Sequence, residues 1–336
     1  MVKQVKQQLR RAVLGLALCG LAGGSLMATA QSAPKPEGYP SRPVNLVVGF
    51  PPGGATDIIA RVVAEQLGKA IGQPVIVRNE PGASSNIATE MVIRSAPDGY
   101  TLLLSTIANA TNMSVYKDLR YDTRKDLSHI IKLMASPSIL VVHPSVPAKT
   151  VQELVELAKQ NPGKYTFASS GMGGSPHLAG EMLKLRTNID LLHVPYKGAT
   201  PALMDVLSGN VDMGFKTSLG VAQYLGGEER LRPLAVTASK RLADLPDVPT
   251  MEEAGIADFY VQSWNGLSAP KGTPVEIIEY LNATVNEILQ QPEVKERLAS
   301  LGAEGGSGTA QEFEQFVSDE IDQWAEVVKQ AKVQLD

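Results

Sequence analysis

From Val44 onward the chain alternates short apolar runs with amphipathic segments of helical period, and that alternation leaves few folds open. "VNLVVGF" precedes "TDIIARVVAEQLGKAIG", in which Ile58, Ile59, Val62, Val63, Leu67 and Ile71 fall on one helical face, and "PVIVRN" follows. A strand, a crossover helix and a second strand imply parallel pairing with a right-handed connection. The unit recurs. "DGYTLLLST" and "SILVVHPS" read as strands, and "YTFASSGMGGSPHLAGEMLKL" as a strand, a Gly- and Ser-rich loop and a helix. "LLHVPYKGATPALMDVLSGNVDMGF" is a third copy. Turns of one style in both halves predict two α/β domains around a cleft, with ligands at the carboxyl ends of strands.

Helix starts are marked by residue chemistry. Thr150 and Glu153 open one helix as a capping box, as do Thr273 and Glu276 with Pro274 at the first helical position. Thr309 and Glu312 cap the last helix, whose Phe313, Phe316, Val317, Ile321, Trp324 and Val328 form one apolar stripe of the kind that packs into a core.

Ahead of this pattern, Lys3, Lys6, Arg10 and Arg11 precede an apolar run and then Ala28-Thr29-Ala30. This predicts a secretory signal peptide, residues 1–30, cleaved after Ala30. A membrane anchor would need about 20 apolar residues, and this run is broken by Gly20, Gly23, Gly24 and Ser25. Leu18 stands before Cys19 where a lipoprotein signal has a small residue, which argues against lipidation. Residues 31–41 are polar and Pro-rich, an expected tether. Removing the signal takes four basic and no acidic residues, leaving 27 basic against 35 acidic, a formal charge of −8. A nucleic-acid partner is not expected from that balance. The sole Cys departs with the signal, so an exported chain has no disulfide and is held together by its core.

"NLVVGFPPGGATD" approaches the phosphate-loop pattern G-x-x-x-x-G-K-[ST]: Gly49, Gly54 and Thr56 fall in place, but Ala55 stands where the Lys belongs. A Gly-rich turn at a helix start offers backbone N–H groups at the positive end of the helix dipole, which favours an anion. Phosphoryl transfer would add a Lys and Mg²⁺, whereas a carboxylate needs amides and a few hydroxyls, so the missing Lys favours a carboxylate. Taken alone, this loop and "SSGMGGS" are each also compatible with a plain turn. Other chemistries lack their residues. There is no G-x-S-x-G elbow, and His129, His143, His177 and His193 show no metal-ligand spacing. His177 and Glu181 share a helical face as an ordinary capping or salt-bridge pair. "GMGGSP" puts Pro176 where a dinucleotide loop has its third Gly. No catalytic residue, metal or cofactor is therefore expected.

Nine blocks in order extend the argument: "FPPGGATDIIAR", "NEPGASSNIATE", "APDGYTLLL", "KTVQELVELAKQNPGKYTFASSG", "HLAGE", "HVPYKGATPALMDVLSGNVD", "LAVTASKR", "LPDVPTMEEAG" and "SWNGLSAPKGTP". From about Tyr39 to about Val328 the chain resembles the Bug-type extracytoplasmic solute receptors of tripartite tricarboxylate transporters. The resemblance implies a non-enzymatic two-domain periplasmic binding protein of type II, a Venus flytrap whose domains are joined by crossing strands. It also implies permease subunits as membrane partners, and a monomeric receptor is expected. Domain 1 would comprise residues 42–140 and 266–336, and domain 2 residues 141–265. In such receptors the loop matching Pro52, Gly53, Gly54, Ala55, Thr56 and Asp57 grips one carboxylate through backbone groups. Ser169, Ser170 and Gly171, with Tyr196, Lys197 and Gly198, match loops closing from the second domain, while Ser84, Ser105 and Thr106 lie in blocks that line the cleft. Two positions depart from the pattern. Gly174 replaces the usual Ser or Thr, with Ser175 one later, and Lys216 replaces an acidic or amide residue, either as a solvated amine or as a counter-charge to ligand. A ligand bridging both lobes makes a dicarboxylate the expected class, while its identity is not legible in a pocket of backbone amides. An orphan or sensory module reporting a carboxylate is the alternative, which neighbouring permease genes would decide.

Overall fold

The computed structural model describes residues 33–196, 198–217, 221, 224–225 and 231–331. The expected signal peptide, residues 1–30, and Lys197 lie outside the described residues. In chain order the elements are β1 (Val44–Val48), α1 (Ala55–Ile71), β2 (Val75–Asn79), a 3-10 turn (Ala83–Ser85), α2 (Asn86–Ile93), β3 (Thr101–Thr106), α3 (Ile107–Val115), α4 (Thr123–Asp126) and β4 (Leu127–Val142). There follow α5 (Val151–Gln160), β5 (Thr166–Ser169), α6 (Ser175–Thr187), β6 (Leu192–Pro195), α7 (Ala199–Leu207), β7 (Met213–Thr217), β8 (Arg232–Val236) and β9 (Gln262–Pro270). The last are α8 (Val275–Gln290), α9 (Pro292–Ala299), β10 (Glu304–Gly305) and α10 (Ala310–Ala331).

The strands run β2-β1-β3-β9-β4-β7-β5-β6, with β10 and β8 also paired to β4. β1 is parallel to both β2 and β3, and β5 is parallel to both β6 and β7. These two parallel groups are the βα units read from the sequence. Antiparallel β9 and β4 join them: β9 pairs β3 on one side and β4 on the other. Leu127 to Pro137 of β4 pair with β9, and Ser138 to Val142 pair with β7. The handover falls at Pro137, whose missing N–H removes one ladder bond where pairing changes partner.

Each parallel group has its own core. Val44, Leu46 and Val48 of β1 pack with Ile59, Val63 and Leu67 of α1 and with Leu281 and Val285 of α8. Phe167 of β5 and Phe215 of β7 pack with Leu178 and Met182 of α6, and with Trp264 and the α10 stripe Phe313, Val317, Ile321, Trp324 and Val328. Each such side chain, fully buried, stabilises the fold by about 1.5–3 kcal/mol relative to exposure. Phe316, expected in that stripe, is partly buried against it.

Local chemistry departs from expectation in two places. Thr150 and Thr309 cap their helices through Glu153 N–H and Glu312 N–H. Thr273 instead donates to the Pro270 carbonyl, leaving Pro274 as the N-cap of α8 without a side-chain bond. Tyr39, expected in an extended tether, is buried, donates to the Gly99 carbonyl and packs edge-on to Tyr100 and Tyr280. Among the described residues no helix is long and apolar enough to cross a membrane.

Candidate functional site

The loops that follow β1, β2, β3 and β5 meet around a cavity of about 290 Å³. Phe50 and Thr56 reach it from the β1–α1 turn, Ser84 from the turn after β2, and Thr106 from the end of β3. α3 supplies Ile107, Ala108, Thr111, Asn112 and Val115 along one side. Opposite lies the run from Ser170 to Pro176 between β5 and α6, and Ser263 and Asn265 of β9 close the back. Among the described residues no charged side chain lines it.

Three helices start at this cavity. α1 begins after Gly54, α3 after Thr106 and α6 after Gly174, so Thr56, Ala108 and Ser175 all sit in first turns. First-turn N–H groups have no intrahelical acceptors, and the aligned peptide dipoles make each end partly positive. An anion is thus favoured without a cationic side chain. Ser175 shows that a hydroxyl is present beside Gly174, one residue after the position where the pattern carries it.

Of the residues expected from the sequence, Thr56, Ser84, Thr106, Ser170 and Gly171 are brought together on the cavity wall. Pro52, Gly53, Gly54 and Ala55 are exposed on the turn between Phe50 and Thr56, outside the lining. The Gly53 amide is already spent, donating to Asp57 Oδ2 at 2.9 Å. Asp57 itself is buried under the turn, bound by Arg61 Nε and Nη2 at 3.0 Å each and by Asn79 at 2.9 Å. The Arg61 bond, aided by Gly53 and Asn79, holds its carboxyl down at about 2. It braces the turn from beneath. Ser105 is buried and shares a 2.9 Å hydrogen bond with Ser268, away from the cavity.

On the other side, Ser169 is buried, with Oγ 2.6 Å from His193 Nε2. Tyr196 ties its backbone N–H to the Ser169 carbonyl and its hydroxyl to Asp205, and Gly198 precedes α7. Neither reaches the cavity wall. Lys216 is buried on β7, and a Cβ placed on Gly214 would come 3.0 Å from its Cε and 3.5 Å from its Nζ. The side chain therefore folds back over Gly214 and is not among the lining residues. Burial pulls its ammonium down to about 8.

The sequence reading passed over three contributors. α3, "IANATNMSV", buries Asn109, Thr111 and Asn112 along with its apolar residues, so it carries little periodic signal. Asn112 donates to the Ser84 carbonyl at 2.8 Å and to Asn86 at 2.7 Å, holding Ala83, Ser84 and Ser85 in consecutive left-handed conformations. Such strain collects at binding sites and persists only where the surroundings over-determine it. Met172 is the apolar tip of the second loop. His177 and Glu181, read as a capping or salt-bridge pair, do face each other with Nε2 3.9 Å from Oε1, but burial holds the imidazole at about 3, its Nδ1 accepts the Gly173 N–H at 3.0 Å, and Glu181 pairs with Lys184. Among the described residues no cluster is suited to a metal ion.

The family model described as "Tripartite tricarboxylate transporter family receptor" matches residues 59–333. Protein BugT of Bordetella pertussis is 38% identical over 299 residues, 88% of this chain and 91% of its own. Among solved structures, R. palustris Rpa4515 with adipate is 37% identical with a TM-score of 0.76, covering 88% of this chain and all of that one. MatC from Rhodopseudomonas palustris with bound malate is 32% identical with a TM-score of 0.72, over 86% of this chain and all of that one.

Proposed function

This chain belongs to the tripartite tricarboxylate transporter receptor family, solute-binding receptors and not enzymes, and from that premise we propose that it captures a dicarboxylate between two lobes and hands it to membrane permease subunits. The fold is the two-domain α/β architecture of periplasmic binding proteins. The lobes are proposed to be residues 42–140 with 266–336, and residues 141–265. The exported location proposed for it follows from residues 1–30 and from its kin.

One observation carries the ligand class: a cavity on which three helix starts converge from both sides, with no charged side chain among its described lining residues. Two ends on the first lobe and one on the second suit an anion at each pole of a small ligand. Between the poles apolar groups line the wall among polar ones. Ile107, Thr111 and Val115 recur every four residues along α3, a stripe of about 12 Å at 1.5 Å per residue, and Phe50 and Met172 face the same space. Phe50, Ile107, Val115 and Met172 offer packing to an unsubstituted methylene spacer, the kind of diacid proposed here over a hydroxylated one. The adipate held by Rpa4515 is of that kind.

The test is a melting series on protein unfolded and refolded to strip carried-over ligand. Succinate, glutarate, adipate, pimelate, malate, citrate and the monoacid hexanoate are added in turn. Adipate and its neighbours in length are expected to raise the melting temperature most, by about 2.7 kcal/mol of stability at a hundredfold excess over the dissociation constant. Silence towards every carboxylate would overturn the function, and malate exceeding adipate would overturn the spacer preference.

A further inference from the structure

The loop from Ser169 to Gly174 contains Gly171, Gly173 and Gly174, and the first two have φ of +134° and +73°. Glycine leaves such a loop many shapes, so its conformation has to be imposed by its surroundings. Side chains impose it here. Gly171 donates its N–H to Ser169 Oγ at 3.2 Å, Ser169 Oγ donates to the Gly171 carbonyl at 3.0 Å, and Gly173 donates to His177 Nδ1 at 3.0 Å.

The backbone N–H of Gly173 fixes the His177 imidazole, and with Ser169 donating to the Gly171 carbonyl the proton inventory sets His193 as well. A serine hydroxyl has one proton and two lone pairs. With the proton on the Gly171 carbonyl and one pair on the Gly171 N–H, the remaining pair of Ser169 receives the Nε2–H of His193 at 2.6 Å. His177 accepts at Nδ1, so its proton is on Nε2, on the side of Glu181 at 3.9 Å. Both rings are neutral Nε2–H tautomers, and they stack at 4.0 Å between centroids, with His193 also 4.8 Å from Phe167. Gly180 makes room for this pile, since a Cβ there would lie 2.2 Å from Phe167 Cε2.

We infer that the stacked His193–His177 pair is the positioning element of the second-lobe grip, fixing through Ser169 and Gly173 the directions in which the Ser170 hydroxyl and the remaining loop amides face the cavity. Neither imidazole lines the cavity; both act through the loop. The inference rests on the cavity being the carboxylate site, and it adds what holds half of that site in shape.

The test separates the two readings by working first without ligand. Amide exchange at Gly171 and Gly173 is followed by NMR in the full mature chain. His193→Phe keeps the stack and Ser169→Ala keeps the fold, and each is expected to speed Gly171 exchange about tenfold, the scale of one lost hydrogen bond. His177→Phe does the same at Gly173, and His177→Asn, whose amide oxygen replaces Nδ1 as acceptor, restores protection. Diacid affinity is expected to fall about tenfold in His193→Phe and in Ser169→Ala, and no further in the double variant, because both cut one connection. Wild-type exchange in all three disrupting variants, or additive affinity losses, would overturn the positioning role. A wild-type protein that binds no carboxylate would overturn the proposed function alone, while the exchange data still decide the role of the pair.

Discussion

Lys216 carries an ammonium that is buried on β7, and it has no hydrogen-bond or ion-pair partner among the described residues. Desolvation lowers its pKa from 10.5 to about 8, so the folded chain releases this proton more readily than the unfolded one. Below pH 8 both states hold the proton, and the folded state bears the full cost of a buried charge. As pH rises from 8 towards 10.5 only the unfolded state stays protonated, and stability rises through that window. Two and a half units correspond to up to about 3 kcal/mol. Lys216→Met, similar in length and free of charge, is therefore expected to raise the urea midpoint at pH 7, with a smaller gain at pH 9.5, and to leave diacid affinity unchanged. A destabilised variant, or one that binds diacids weakly but monoacids normally, would instead put the ammonium on a ligand carboxylate.

The turn after β1 and the turn after β2 are locked together by Gly49 and Ser85. A Cβ on Gly49 would lie 2.0 Å from Ser85 Oγ and 2.7 Å from its Cα, so only glycine fits there. Ser85 has φ of +75° and a buried Oγ with no partner, two costs that glycine would remove. Ser85→Gly is expected to raise the melting temperature, by about 1 kcal/mol of stability. Gly49→Ala is expected to lower it severely, and the double variant to recover only the part owed to the Ser85 side chain, since the Cα of residue 85 would still lie 2.7 Å from the new Cβ. Equal losses in Gly49→Ala and the double would deny the lock. The same elements show what was legible in the sequence. Gly49, Gly54 and Thr56 marked a strand, a turn and a helix by residue type alone, and "SSGMGGSPH" did likewise for β5 and α6. What escaped was chemistry with no period. α3 hides its wall of the cavity in a helix whose buried residues are half polar, and the first eleven residues of β4 read as no clear element because Ser128, His129, Lys132 and Ser136 interrupt their apolar run, which ends at Pro137. His177 and His193 lie sixteen residues apart, and only the parallel register of β5 and β6, with Phe167 beside His193, brings the two imidazoles together.

At the scale of the molecule, two strands connect the parallel groups, and any closure around a ligand must bend or twist them. Trp264 sits on β9 between the cavity residues Ser263 and Asn265, two residues from the start of the strand and paired with Ala135 of β4. Its ring faces away from the cavity, against Phe313 and Phe316 of α10. Its indole N–H donates to Glu320 Oε2 at 2.8 Å, an oxygen that also takes the Trp324 N–H at 3.1 Å. Burial raises the Glu320 pKa, and the two indole donors oppose that rise. Indole emission responds to the charge and hydrogen bond at its nitrogen, so this group reports on the crossing strands. The chain holds only these two tryptophans, and Trp324→Phe leaves Trp264 alone as the probe. A diacid that draws Ser263 and Asn265 towards the loop at Ser170 is expected to shift the Trp264 emission of that variant. Hexanoate, which can engage one pole only, is expected to shift it less at matched saturation, because a ligand favours closure only by the contacts it makes in both lobes. Equal shifts for the two would mean that one pole suffices to move the strands. An unchanged spectrum in a variant whose melting temperature still rises with adipate would mean that this chain binds its ligand without moving the strands that join its halves.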